Sequence, residues 1–126
     1  MGNCGWHSLL AGVVAVGCAT SPAGDPARGR EVFLSRDQGH CVACHSAAGI
    51  RPAGNVGPVL DGVASRLTAE QLRQCVVDIT RMRPDAAMPA FHRTGGLTRV
   101  ASDYRGKPVL SREQIDDVVA WLETLK

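Results

Sequence analysis

Five consecutive residues, Cys41-Val42-Ala43-Cys44-His45, constrain this chain more than any other feature. The spacing C-x-x-C-H is the attachment signature of c-type haem. Two thiols three residues apart can each add to one vinyl group of a porphyrin, and the adjacent histidine reaches under the plane to hold iron. The axial ligands of that iron set its redox chemistry, so the motif points to handling electrons. Two other uses share part of the pattern. A zinc site would want four closed ligands, such as Cys41, Cys44, Cys75 and one histidine, but no second C-x-x-C or H-x3-5-H pair supplies the other half. A thioredoxin-like pair follows a strand, whereas Ser35-Arg36-Asp37-Gln38-Gly39-His40 reads as a polar turn. One covalent haem c is the expected cofactor.

The bulk properties agree with a fold built around such a group. The 126 residues allow one small domain, and aromatics make up only 4%, with Phe33, Phe91, Tyr104 and Trp121 lying beyond the first twenty-five residues. Small domains bury a modest share of their surface, and a porphyrin would supply the missing core. The net charge is +2, too mild a balance for a nucleic-acid binder.

Residues 1–26 read as an export signal and linker, and residues 27–126 as the domain. Leu9 to Gly17 is apolar and too short for a permanent membrane-spanning helix, although no Lys or Arg precedes it. Cys18 follows Ala15-Val16-Gly17 and resembles a bacterial lipoprotein cleavage site. Two readings stand: lipid attachment at Cys18, or an ordinary signal cleaved before Asp25. Both put the folded part in the periplasm, where covalent haem attachment is completed. A single acyl chain would tether the domain without spanning the bilayer. Thr20 to Pro26 is a small, polar, Pro-containing linker.

An all-α fold of three to four helices with long loops is expected. The first helix runs from Pro26 to about Ser35, with Gly29 and Phe33 on one face. The loop from Ala47 to Gly57 follows the haem motif. Thr68 and Gln71 form a capping box at the start of a middle helix, flanked by the staple of Leu67 and Leu72. Its apolar face is Leu72, Cys75, Val76 and Ile79, which makes Cys75 a small buried hydrophobe in preference to a disulfide partner or reactive thiol. Ser111 and Gln114 form a second capping box, and Ile115, Val118, Val119, Leu122 and Leu125 make the stripe of the last helix, with Trp121 beside it. The stretch from Met82 to Pro108 carries Pro84, Pro89, Gly95, Gly96 and Gly106 and reads as a long functional loop. Arg93, Arg99, Arg105 and Lys107 give it a basic bias, read equally well as a docking face or as solvated charge.

His45 is the expected proximal ligand. The other axial position decides between electron transfer and ligand binding. Met88 leads, because it precedes the stiffening Pro89 in a loop that can fold back over the haem. Met82, His92 and an open site are the alternatives; His7 lies in the signal and His40 is too close to the motif. A thioether ligand raises the reduction potential, which suits an electron acceptor.

Taken together, Gly29-x-x-x-Phe33, Cys41-x-x-Cys44-His45, Gly57-Pro58-x-Leu60, Met88-Pro89 and a final aromatic-bearing helix resemble the class I cytochromes c. The resemblance implies that Gly29 lets the first and last helices cross, that the Pro58 carbonyl accepts from His45, and that Leu60 presses on the porphyrin. A narrower set is similar to the SoxX family: Gly54-Asn55-Val56-Gly57-Pro58, Ser65-Arg66-Leu67-Thr68, Met88-Pro89-Ala90-Phe91-His92-Arg93 and Tyr104-Arg105-Gly106-Lys107-Pro108. That likeness implies a periplasmic monohaem subunit paired with a SoxA cytochrome. The pair oxidatively couples thiosulfate to a cysteine of a SoxYZ carrier, an L-cysteine S-thiosulfotransferase activity. In it this chain would be the non-catalytic electron acceptor, passing electrons to a downstream cytochrome or oxidase. A diffusible electron carrier and a haem ligand-sensing domain are the competing functions.

Overall fold

The computed structural model describes residues 24–47 and 49–126. The expectations for His7, Leu9 to Gly17 and Cys18 lie outside the described residues. Three α-helices carry the fold: α1 (Pro26–Leu34), α2 (Ala69–Asp78) and α3 (Arg112–Leu122). Single 3-10 turns at Cys41–Ala43, Val63–Ser65, Ile79–Arg81 and Ser102–Tyr104 punctuate the connections. No strand is present among the described residues.

Each helix begins where its sequence provides a partner for orphan amides. Asp25 accepts from the amides of Ala27 and Arg28 at the head of α1, and Pro26 occupies the first turn. Both capping boxes form. Thr68 and Gln71 exchange side-chain and backbone bonds at α2, as do Ser111 and Gln114 at α3. The middle helix stops at Asp78, whose carboxylate accepts from the Thr80 amide and starts the next turn. Ile79 therefore sits in the turn. Leu72 and Val76 are buried, while Cys75 and Ile79 are half-buried. Cys75 is thus less enclosed than its helical register implies.

Helix α3 is the central element and packs against both others. Its buried stripe is Ile115, Val118, Val119 and Leu122, with Trp121 turned toward α1. Leu125 lies past the helix end, half-buried, and its carbonyl accepts from the Ala64 amide at 3.0 Å. At the α1–α3 crossing the backbones nearly touch. A Cβ on Gly29 would lie 1.9 Å from the carbonyl oxygen of Asp117, so only glycine fits there. One turn on, the rings of Phe33 and Trp121 meet with centroids 4.6 Å apart.

The same crossing holds a buried charge. Asp117 is 3% exposed and accepts from the Asp25 amide at 2.7 Å and from Arg28 Nε at 2.9 Å. The hydrogen bond from Arg28 leads the influences that hold its carboxyl below the usual range, against the opposing effect of burial. Arg73 on α2 pairs with Asp116 and ties the middle helix to α3.

Candidate haem site

The haem motif forms a tight turn. His40 adopts a left-handed conformation (φ 46°), and the amides of Cys44 and His45 both donate back to the Cys41 carbonyl. This reverses the chain directly after α1 and presents both thiols from one turn. Cys41 is half-buried and Cys44 exposed, and neither is in a disulfide. Burial pushes the Cys41 thiol up to about 11. It is protonated at neutral pH and unlike the thiolate of a dithiol exchange pair. Among the described residues no cluster of three His, Cys, Asp or Glu side chains is arranged to hold a metal ion.

A strap of residues 54–60 closes over the motif. Gly54 donates to the Val42 carbonyl at 2.8 Å, Gly57 to Cys44 at 2.8 Å, and Leu60 to Ser46 at 2.9 Å. Two of these contacts require glycine. A Cβ on Gly54 would lie 2.0 Å from the Ala43 oxygen, and one on Gly57 would lie 2.4 Å from His45 Cε1. The imidazole therefore stacks directly on the Gly57 backbone. Next to it, His45 Nδ1 lies 2.8 Å from the Pro58 carbonyl oxygen. A carbonyl can only accept, so Nδ1 carries the proton and Nε2 keeps its lone pair for a metal. Arg66 fixes the far end of the strap by donating to the carbonyls of Asp61 and Val59. Leu60 is half-buried and packs on the core.

Met88 is half-buried against the same core. Its segment is anchored just beyond it. Leu110 donates to the Phe91 carbonyl at 2.9 Å, and the His92 amide donates to Val77 at 3.2 Å. His92 Nδ1 donates to the Leu110 carbonyl at 2.8 Å, which makes this histidine a strut between the loop and the head of α3. Arg93 Nη1 lies 3.2 Å from Asp78, whose side chain is 1% exposed. The Thr80 hydroxyl bond, followed by Arg93 and the Thr80 amide, lowers the Asp78 carboxyl against the cost of its burial. Arg93 is thus a structural cation clamping the Met88 segment to the end of α2, and neither a docking charge nor a freely solvated one. Met82 is 51% exposed, as a residue between two arginines would be.

Asp78, Asp117 and Arg66 were not read as site-supporting residues from the sequence. Asp78-Ile79-Thr80 carried a local clue, since Asp two residues before a threonine is a turn signal. Asp117 acts on partners distant in the chain and carried none, and Arg66 stood within the Ser65-Arg66-Leu67-Thr68 stretch of the resemblance with nothing to point to the strap carbonyls.

The residue set fits covalent haem. It offers two thiols on one turn, a histidine with its tautomer fixed and Nε2 free, a glycine floor under the ring, and a thioether on an anchored loop. Comparison with known proteins agrees. Residues 26–126 match the family description Cytochrome c. One chain of the crystal structure of SoxXA from P. pantotrophus is 35% identical, with a TM-score of 0.77, over 85% of both chains. The c-type cytochrome SorU from Sinorhizobium meliloti is 28% identical, with a TM-score of 0.52, over 79% of this chain and 88% of its own. A search of curated proteins found no match. The chain belongs to the cytochrome c family, binds haem c covalently, and is a SoxX-like cytochrome.

Proposed function

We propose that this chain is the monohaem electron-transfer subunit of a SoxAX-like complex. In the complex its partner joins thiosulfate to a cysteine of a SoxYZ-like carrier. The likeness to SoxXA along 85% of both chains carries this reading. Forming the new sulfur–sulfur bond from a thiol and thiosulfate releases one proton and two electrons. Haem c supplies one-electron uptake and release, so each coupling needs two transfers through this subunit.

The chain's own residues divide the work. Cys41 and Cys44 would hold the group covalently, and His45 would be its proximal ligand. The Pro58 carbonyl orients the imidazole and raises its basicity. Met88 would supply the second ligand, and Leu60 would pack on the porphyrin. Two protein ligands would close the site, and among the described residues no nucleophile is paired with a base, which fits a partner that carries the sulfur chemistry. The ligand-sensing alternative needs an open position, which Met88 as a ligand would fill. The domain acts in the periplasm; no helix among the described residues is long and apolar enough to cross a membrane.

Coexpression with a SoxA-type cytochrome tests the assignment. The two should copurify, and adding thiosulfate with the carrier protein should reduce the haem of this subunit. A chain that purifies alone, and whose omission leaves coupling unchanged, would be a general carrier instead.

A further inference from the structure

The loop of residues 94–109 has no role in holding the haem site, and its surface is unusual. It leaves the core at Arg93 and returns at Leu110, which is wholly buried. Its base is closed by the Phe91–Leu110 and His92–Leu110 bonds. Between those points only Leu97 and Val100 are even half-buried. Tyr104 is 61% exposed and Val109 45% exposed; the other large exposed apolar side chains are Val56 and Val59 on the strap and Met82. An aromatic ring and an aliphatic residue left in water beside arginines is the composition of a protein contact.

The charges on the loop are uncompensated. Among the described residues no carboxylate lies within 4.0 Å of Arg99, Arg105 or Lys107, whereas Arg93 at the base of the loop, and Arg28, Arg73 and Arg81 elsewhere, are paired. The one local acid, Asp103, takes the Ser102 hydroxyl. Arg99 and Arg105 line a common open cavity of about 320 Å³ with Thr94, Leu97 and Gly106. Arg99 holds a left-handed backbone (φ 58°), a conformation that costs energy for a residue with a side chain. A cavity of this size with two cations at its wall accepts an anionic side chain.

We infer that loop 94–109 is the docking face for the haem-bearing partner subunit. On this view the partner presents carboxylates to Arg99, Arg105 and Lys107, seats one of them in the cavity, and covers Tyr104 and Val109. The inference rests on the proposed function and goes further by naming the surface. It also has a functional logic. The loop grows out of the segment that carries Met88, so a partner seated there approaches the haem from its methionine side.

The test uses the haem-loaded chain and a SoxA-type partner, with binding kinetics measured at low and high salt. Arg99→Glu with Arg105→Glu should slow association about tenfold or more at low salt and flatten its salt dependence. Tyr104→Ala should weaken binding by about thirtyfold through faster dissociation. Arg30→Glu, exposed on α1, should leave both rates unchanged. Unaltered optical spectra show that the variants fold. If the wild type does not bind the partner, the proposed function itself fails. Should the wild type bind and the loop variants bind equally well, the docking face is overturned while the function stands. Thiosulfate raising the melting temperature of wild type but not of the arginine variant would then make the cavity a small-anion site.

Discussion

Substituting Gly29 by alanine puts two effects of known size in opposition. Alanine favours a helix over glycine by about 1 kcal/mol, so propensity alone predicts stabilisation. The added Cβ, however, would lie 1.9 Å from Asp117 O, 2.5 Å from Asp117 C and 2.9 Å from Trp121 Cβ. Ordinary contact begins at 3.4 Å, so α1 and α3 must part by roughly 1.5 Å at the crossing. Backbone atoms cannot rotate aside. Overpacking of this kind costs about 1–3 kcal/mol. Parting the helices also lifts Phe33 from Trp121, a pair worth about 0.5–1.5 kcal/mol, and stretches the bond from the Asp25 amide to Asp117, worth about 1 kcal/mol. Crowding wins, with a net loss of about 2–3 kcal/mol. For a domain of this size that lowers Tm by roughly 10–20 °C. Thermal unfolding of the haem-loaded protein, followed by circular dichroism, measures it. A Tm equal to or above wild type would mean that the helices do not cross in contact at residue 29.

Gly57→Ala should push the His45 ring off the Pro58 carbonyl, since the new Cβ would lie 2.4–2.8 Å from three ring atoms. Stability should fall by about 1–3 kcal/mol. The less basic imidazole should raise the reduction potential, read by redox titration; an unchanged potential would argue against the stacked ring. Acid titration probes the buried carboxylates. Asp78 and Asp117 are both held below the ordinary carboxyl value when folded, so their contribution is complete above about pH 4. It is lost as pH falls through their folded values, and the double variant Asp78→Asn, Asp117→Asn should flatten that acid limb. The same limb persisting in the variant would place the acid sensitivity elsewhere. Arg93→Met leaves the buried Asp78 with only the exposed Arg81, 3.5 Å away, and should destabilise by about 1–3 kcal/mol, whereas Arg105→Met should change stability by less than about 0.5 kcal/mol. Denaturant melts separate the two.

What the sequence made legible was local chemistry. Two capping boxes, the proline at the head of α1 and the C-x-x-C-H turn each act within a few residues, and each was readable from spacing. The role of Gly29 at the helix crossing came from the family resemblance and not from its own neighbours, and that of Gly57 was not readable, because what forbids a side chain at these positions is a backbone far along the chain or the His45 ring. Asp117 was hidden by its helical context, and the turn clue at Asp78 said nothing of its burial. On a helix an acid near apolar residues reads as a solvated edge, and only packing against Arg93 or Arg28 makes it a buried anchor. Arg93 shows the reverse: it sits among basic residues and reads with them, until the fold gives it a carboxylate partner.

The central claim is that His45 and Met88 together close the iron of a covalent haem for electron transfer. Optical spectra of the oxidised and reduced protein, wild type beside Met88→Ala, test it most directly. The account predicts a long-wavelength methionine–iron charge-transfer band in oxidised wild type that vanishes in the variant. A band that survives in Met88→Ala, or is missing from wild type, would contradict it and return the second axial position to Met82, His92 or an open site.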